Sequence, residues 1–211
     1  CSLDAGETLN ERIVDGSLLL EKYKHALIID NAGMGKSTLL KKIVIDTIEY
    51  SEYIPVYIEL RSLDDKPIDE HIKIMFGIEN MDSNDLLKSF PFAFFFDGVD
   101  EIQYDKKNAI IKRLKKFSED FIGSNIIITS RPDQSLLELN TYSRFKIKPL
   151  ELSQSYNLLK LYDANSYSIG NNLALSKKLI SEIELMRNKD SISILEFLTT
   201  PLYVSLLFCS Y

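Results

Sequence analysis

Cysteine is scarce in this sequence, and its scarcity excludes a fold held together by disulfides. The 211 residues include two cysteines, Cys1 and Cys209, which cannot make a disulfide framework. Such frameworks are typical of oxidising compartments, so we infer a reducing compartment and expect a cytoplasmic protein. No signal-peptide pattern is visible in the sequence.

Long hydrophobic runs and a surplus of basic residues are lacking as well. The longest uncharged stretch, Phe197 to Tyr211, is too short and too interrupted to predict a membrane span. The formal net charge of -6 argues against a general nucleic-acid binder. We therefore expect neither a membrane nor nucleic acid as a partner. With 45% hydrophobic residues, the chain can bury a sizeable core in one or two domains.

A predicted strand, a glycine-containing loop and a predicted helix follow one another between His25 and Leu40. Ala26 to Ile29 form an apolar run, and the loop then reads Asp-Asn-Ala-Gly-Met-Gly-Lys-Ser-Thr from Asp30. This matches the P-loop pattern G-x-x-x-x-G-K-[ST] at every fixed position except the first, where aspartate stands for glycine. Aspartate tolerates left-handed backbone, but its charge near phosphates is a possible cost to affinity.

The pattern predicts a phosphate-binding site. Successive backbone N–H groups of such a loop converge on phosphate oxygens, and the following helix directs its positive end at the same anion. Lys36 would reach the β- and γ-phosphates, and Ser37 would bind Mg²⁺ through its hydroxyl. The predicted nucleotide-contacting residues are Asn31, Ala32, Gly33, Met34, Gly35, Lys36, Ser37 and Thr38. The alternative is an ordinary helix N-terminus with glycines in the preceding turn.

A second informative stretch runs from Phe92 to Glu101. An uninterrupted apolar run, bounded by Pro91, predicts a strand buried on both faces, and three carboxylates follow it. Asp97 at the strand tip is placed to hold Mg²⁺, and Asp100 or Glu101 could polarise an attacking water. The alternative is a solvated acidic turn.

A third stretch, Asn125 to Pro132, predicts another buried strand that ends in polar residues. Its Arg131 would lie at the same sheet edge and could sense the γ-phosphate or stabilise charge in the transition state. The alternative is a surface arginine before a proline.

The remaining pattern predicts an α/β fold: a mostly parallel sheet of five strands with helices on both faces. Further strands are expected at Tyr53–Leu60 and Arg144–Ile147. Helices are expected at Ile68–Phe76, Ser83–Phe90, Asp105–Phe117, and at about 153–162, 172–188 and 191–210. The basic residues around Lys112 on one of these helices are interpreted as a solvated face, and the alternative is a nucleic-acid or subunit contact.

These patterns predict three segments. Residues 1–25 form a lead-in, residues 26–150 a P-loop nucleotide-binding domain, and residues 151–211 a small helical domain. Because the sequence starts at cysteine and stops inside an apolar stretch, we expect a fragment of a longer protein with the helical domain truncated.

Together the motifs resemble those of the NACHT NTPases, which belong to the signal-transduction ATPases with numerous domains. The resemblance rests on the loop ending in Lys36-Ser37, on Phe94-Phe-Phe-Asp-Gly-Val-Asp-Glu101, on Ile128-Thr-Ser-Arg-Pro132 and on Thr200-Pro-Leu202. Relatives of this family include animal NOD-like receptors and bacterial anti-phage proteins. The resemblance covers roughly residue 13 to the end.

The resemblance implies that ATP or ADP with Mg²⁺ binds between the two domains. It assigns catalytic roles to Asp100, Glu101 and Arg131, a Mg²⁺ role to Asp97 with Ser37, and an adenine or ribose contact to Pro201. It further implies a slow ATPase that acts as a nucleotide-dependent oligomerisation switch, joined to effector and sensor domains, in signalling or immune defence. A nucleotide-binding scaffold without significant hydrolysis, and a DNA-dependent motor ATPase, remain open alternatives. Preference for ATP over GTP is not encoded in any visible motif.

Overall fold

The computed structural model describes residues 3–5, 12–13, 16–78, 87–165, 175–187 and 196–210. By its internal contacts the chain divides into two compact units. The sheet unit comprises Ser2–Asn31 and Lys36–Ile147, and the helical unit comprises Lys148–Tyr211 together with Ala32–Gly35. The four residues Ala32–Gly35 belong to the predicted phosphate-binding loop, so this loop groups with the helical unit although both its neighbours in the chain group with the sheet.

The described residues of the sheet unit form a seven-stranded sheet, and we number its strands along the chain. They are β1 (Leu3–Ala5), β2 (Arg12–Ile13), β3 (His25–Ile29), β4 (Ile54–Glu59), β5 (Phe92–Asp97), β6 (Asn125–Ser130) and β7 (Ser143–Ile147). Their spatial order is β2-β1-β7-β3-β6-β5-β4, and the five strands from β7 to β4 pair in parallel. The predicted five-stranded parallel sheet is therefore confirmed.

The lead-in segment adds to this sheet. Strand β1 pairs antiparallel with β7, and β2 pairs antiparallel with β1. A helix, α1 (Gly16–Lys22), then leads into β3. Strands this short carry no hydrophobic period, which is why the sequence pattern indicated only a lead-in here.

Helices flank the sheet on both faces. They are α2 (Lys36–Tyr50), which joins β3 to β4, α3 (Ile68–Phe76), and α4 (Tyr104–Asp120), which joins β5 to β6. Phe94 and Phe96 of β5 contact the Phe117 ring of α4, with ring centroids 4.9 and 5.7 Å apart. The intervening Phe95 points to the opposite face, because side chains alternate along a strand, and α2 packs on that face.

The central strands are buried on both faces. Every residue of β5 and β6 is buried, as the unbroken apolar runs predicted. The parallel register makes these strands end within about two residues of one another. Their common end, the carboxyl edge, follows Ile29, Glu59, Asp97, Ser130 and Ile147. Any polar residue that follows these strands is brought to this edge.

The helical unit contains α5 (Leu152–Asn165), α6 (Leu175–Arg187) and α7 (Pro201–Ser210). Its core is formed by Leu159, Leu179, Ile183, Leu198 and Val204. The single helix expected over 191–210 is wrong in its described part, because a turn at Thr199–Thr200 precedes Pro201. Proline favours the first position of a helix, where no N–H is needed for the ladder.

The predicted helix Ser83–Phe90 is described only in part. Residues 87–89 are helical, and the rest of the predicted helix Ser83–Phe90 lies largely outside the described residues. Within the described part of the chain, no helix combines the length and the apolar character needed to cross a bilayer.

Candidate functional site

The loop between β3 and α2 has the backbone conformation that its glycines permit. Gly33 and Gly35 have φ angles of 81° and 86°, in the left-handed region that side chains with a Cβ rarely adopt. Lys36 begins α2, and Ser37 and Thr38 lie in its first turn. Ser37 is half-buried and Thr38 is exposed. The N–H groups of this first turn have no partner within the helix, so they are available to an anion.

Lys36 folds back over the entrance of the loop. Its Nζ donates hydrogen bonds to the main-chain carbonyls of Asp30 at 2.7 Å and Asn31 at 2.9 Å. Burial lowers the pKa of the Lys36 ammonium, while the nearby carboxylate of Asp100 acts to raise it. An ammonium held by neutral carbonyls gains net charge pairing when it moves to a phosphate, so Lys36 is suited to bind one.

Asp97, the last residue of β5, is 8% exposed and held by two hydroxyl groups. The Tyr57 hydroxyl donates to its Oδ2 at 2.8 Å, and the Thr129 hydroxyl donates to its Oδ1. The Gly98 N–H in turn donates to the Thr129 oxygen at 2.9 Å. Burial, and then the bond to Asp97, raise the pKa of Tyr57, so its hydroxyl stays protonated and remains a donor. The carboxylate is fixed in one orientation at the carboxyl edge.

Asp100 and Arg131 form a two-point contact. The guanidinium Nε of Arg131 lies 2.8 Å from Oδ2 of Asp100, and the Arg131 main-chain N–H donates to Oδ1 at 3.0 Å. The Asp100 side chain is 13% exposed, whereas that of Arg131 is 56% exposed. The Asp100 carboxylate is therefore largely shielded from solvent, whereas more than half of the Arg131 side chain is open to it.

Glu101 is paired as well, with a residue that the sequence reasoning missed. Its Oε2 lies 3.1 Å from one guanidinium nitrogen of Arg61. The other terminal nitrogen of Arg61 lies 2.8 Å from Glu59. Arg61 follows β4, so the parallel register brings it to the carboxyl edge. Its position just after a strand was the available signal, but the surrounding polar loop has no motif. Both predicted catalytic carboxylates thus have an arginine partner.

Gly98 shapes the turn that carries these acids. Its φ is 80°, and a Cβ added there would come within 3.2 Å of the Glu101 Cγ. The Glu101 N–H donates to the Gly98 carbonyl at 3.0 Å, which closes the 3₁₀ turn Val99–Glu101. Glycine is favoured here because φ is positive, and because an added Cβ would crowd the Glu101 side chain.

In the helical unit, the loop glycine Gly33 packs against the start of α7. The Leu202 N–H donates to the Gly33 carbonyl at 3.2 Å, and a Cβ added at Gly33 would lie 2.8 Å from the Leu202 Cβ. Met34 is buried with its sulfur 4.0 Å from the Thr200 hydroxyl. Pro201, the predicted adenine or ribose contact, is half-buried and lies between these two contacts in the chain.

Among the predicted site residues, the sheet unit brings together Lys36, Asp97, Asp100 and Arg131 around one edge, and Glu101 joins them through the same turn. The helical unit brings Pro201 to Gly33 and Met34. In the described residues, no group of three or more His, Cys, Asp or Glu side chains has the arrangement of a metal centre. The predicted Mg²⁺ ligands, Ser37 and Asp97, supply a hydroxyl and a carboxylate oxygen, the donor types that Mg²⁺ prefers, and water and phosphate commonly complete its shell.

No protein-family model matches the chain, and no curated protein matches it in sequence. Solved structures do resemble it. The Orc1 protein of Aeropyrum pernix, determined in complex with DNA, matches with a TM-score of 0.52 and 11% identity over 92% of this chain and 63% of that one. AMPPCP-bound DnaA from Aquifex aeolicus matches with a TM-score of 0.49 and 14% identity over 86% of this chain and 62% of that one.

Domain III of the Thermotoga maritima replication initiation protein DnaA gives a TM-score of 0.49 at 12% identity, over 93% of this chain and 89% of that domain. The chain thus spans about three fifths of the length of the Orc1 and Aquifex structures. At such low identity, the similarity to Orc1 concerns the fold. Together with the strand order, it confirms that the chain has a P-loop NTPase fold, a parallel sheet between layers of helices.

Proposed function

We propose that this chain is an ATP-binding module that hydrolyses ATP slowly and works as a nucleotide-dependent oligomerisation switch in a signalling or immune-defence protein. The observation that carries the proposal is the convergence of Lys36, Asp97 and the Arg131–Asp100 pair at the carboxyl edge of a P-loop NTPase fold. In this account the sheet unit and the helical unit correspond to a nucleotide-binding domain and a small helical domain. The resemblance to NACHT motifs supports the switching role.

Lys36 would contact the phosphates directly, and Asp97 would act on them through Mg²⁺. Lys36 would exchange its two carbonyl partners for phosphate oxygens, a contact between opposite charges. Mg²⁺ would be held by Ser37 and Asp97 and would supply charge neutralisation between the phosphates. The hydroxyls of Tyr57 and Thr129 would keep the Asp97 carboxylate oriented.

The arginine partners of the acids support slow turnover. A carboxylate whose oxygens are held by a guanidinium must first leave that partner before it can polarise water. Arg131 would leave Asp100 to bind the γ-phosphate. Binding of the γ-phosphate and release of the Asp100 carboxylate would therefore occur in one rearrangement. Glu101 would need to leave Arg61 in the same way.

Hydrolysis tests this proposal. We expect Mg²⁺-dependent release of phosphate from ATP by the wild-type chain, and a loss of about 100-fold or more in Glu101→Gln with ATP binding retained. Glu119→Gln, an exposed substitution on α4, is the matched control and should keep wild-type turnover. A wild-type chain that binds ATP but shows no turnover above Glu101→Gln would support the scaffold alternative. Competition by GTP in the same assay measures base preference.

A DNA-dependent ATPase is the second candidate, and it rests on specific observations. Exposed lysines crowd one helix: Lys106, Lys112, Lys115 and Lys116 of α4. The structurally similar Orc1 protein was determined in complex with DNA. The net charge of -6 opposes this candidate.

Duplex DNA should leave ATP turnover unchanged if the switch account holds. Stimulation of several-fold that is lost at high salt, and lost in the double variant Lys112→Ala with Lys116→Ala, would favour the DNA-dependent candidate. Lys160→Ala, an exposed lysine of α5, is the matched control.

A further inference from the structure

We infer that Asp30, the residue that departs from the P-loop pattern, is a positioning residue that secures the entrance of the phosphate-binding loop. It ties the loop entrance to strand β7 and fixes the carbonyls that hold Lys36. The inference rests on the proposed nucleotide binding. Its consequence is opposite to what the motif alone indicates: replacing Asp30 by the usual glycine weakens nucleotide binding.

The contacts of Asp30 reach both strands that flank β3. Its main-chain N–H donates to the Ser130 carbonyl at the end of β6, at 3.1 Å. Its Oδ2 accepts the N–H of Ile147, the last residue of β7, at 2.9 Å. Because β3 lies between β7 and β6, a single residue continues the sheet in both directions beyond the last paired residues. Glycine has no side chain and could make only the bond to β6.

The loss of the carboxylate would leave a buried donor unpaired. Ile147 is 2% exposed, so its N–H is poorly placed to find water instead. A buried N–H without a partner is costly, and the strand end would shift or open to satisfy it. Ile147 is also the last residue of the sheet unit, so Asp30 binds the chain where it passes into the helical unit.

The P-loop pattern suggests that the negative charge of Asp30 weakens phosphate binding, but both carboxylate oxygens are held by main-chain N–H groups. Oδ1 accepts the Asn31 N–H at 2.8 Å and Oδ2 accepts the Ile147 N–H, so each oxygen has a main-chain donor. The Asp30 carbonyl accepts Lys36 Nζ at 2.7 Å. The carboxylate therefore fixes the peptide whose oxygen orients the phosphate-binding lysine, and two donors offset its negative charge.

Three substitutions separate the effect of the hydrogen bond from the Ile147 N–H to Asp30, which we call the tether, from the effect of the carboxylate charge. Asp30→Gly removes both, Asp30→Asn removes the charge and keeps an acceptor oxygen, and Asp30→Glu keeps the charge and displaces the acceptor. Asp65→Gly, in an exposed loop, is the matched control. Affinity for a fluorescent ATP analogue with Mg²⁺ is measured for each, and amide hydrogen exchange of Ile147 is measured without nucleotide.

We expect Asp30→Gly to bind the ATP analogue about tenfold more weakly and to exchange the Ile147 amide about tenfold faster. Asp30→Glu should also bind the ATP analogue more weakly and exchange the Ile147 amide faster. Asp30→Asn should keep both the affinity and the exchange rate within about threefold of wild type. If Asp30→Gly does not fold, the comparison of Asp30→Asn with Asp30→Glu decides the question.

Tighter binding by both Asp30→Gly and Asp30→Asn would overturn the inference, since it would show a charge penalty and no tether. Unchanged exchange at Ile147 in Asp30→Gly and Asp30→Glu would also overturn it. A wild-type chain that binds no nucleotide would contradict the proposed function instead, and the exchange measurement would then still decide whether the tether exists.

Discussion

At the scale of single residues, the site is defined by what each polar side chain is bonded to. Asp97 has a hydroxyl on each oxygen, Asp100 has a guanidinium and an N–H, and Lys36 has two carbonyls. Such partners set orientation and charge before a ligand arrives, which is the usual requirement for a site that binds phosphate and a metal ion. These hydrogen bonds also identify positions where a substitution can remove one polar atom and leave the rest of the side chain in place.

The Tyr57 hydroxyl is one of these atoms. We expect Tyr57→Phe to raise the Mg²⁺ concentration for half-maximal ATP hydrolysis by about tenfold, because the outer-shell bond that orients Asp97 is lost. A Mg²⁺ titration of phosphate release measures it. Tyr104→Phe removes a hydroxyl from a side chain that is 94% exposed and serves as control. Equal Mg²⁺ dependence of the two variants would show that Tyr57 does not orient the metal ligand.

At this scale, the sequence predicted the position of a residue where a parallel sheet could be inferred. Asp97 and Arg131 follow apolar runs, so a parallel sheet had to bring them to one edge. The partner of Asp30 was beyond such reasoning, because Ile147 lies 117 residues away and contributes a main-chain N–H that every residue except proline carries. The arginine at position 61 was missed for a related reason, since a charged loop residue has many possible partners.

At the scale of elements, a few contacts hold helices and loops in place within each unit. One of them joins α4 to the segment after β6, where Lys107 donates to Asp133 at 2.8 Å. Another fixes the loop glycine Gly33 against the start of α7 within the helical unit. Each gives a stability prediction with its own control.

The Lys107–Asp133 pair gives a dependence on pH. Hydrogen bonds from Lys107 and then Ser135 lower the pKa of Asp133 to about 2 from an ordinary 3.8. A carboxylate with a lowered pKa stabilises the fold above pH 3.8, and this contribution is lost as the pH falls toward 2.

We expect Asp133→Asn to lower the free energy of unfolding at pH 7 by no more than about 1 kcal/mol, since solvent screens the pair. The difference from wild type should shrink as the pH falls from 4 to 2, and urea denaturation at each pH measures it. Asp65→Asn is the control. A difference that persists unchanged at pH 2 would contradict this explanation.

Gly33 gives a steric prediction. We expect Gly33→Ala to lower the free energy of unfolding by about 2 kcal/mol or more, because alanine rarely adopts the positive φ of this position and its Cβ would overlap Leu202. Gly35→Ala should cost less, since it has the same strain in φ without a neighbour within 4 Å. Urea denaturation of both, with Gly123→Ala as an unstrained control, measures the difference. Equal costs for Gly33→Ala and Gly35→Ala would show that the contact with α7 carries no weight.

Element boundaries were predictable where periodicity was strong. The helix over Ile68–Phe76 was predicted with its observed bounds, and the buried strands were predicted within a few residues. The pairing of β1 with β7 was not predictable, because three residues carry too little pattern to specify a partner. The break before Pro201 was a missed signal, since a proline inside an apolar helical stretch favours a new helix start.

At the scale of the whole molecule, the chain has a P-loop NTPase fold, and the nucleotide site is the central claim built on it. The most direct measurement is the nucleotide carried by the purified protein, released by denaturation and identified by ion exchange. We expect ADP or ATP near one per chain in wild type and in Lys160→Ala, and none in Lys36→Ala. A wild-type chain that carries no nucleotide and binds no added ATP with Mg²⁺ would contradict the account.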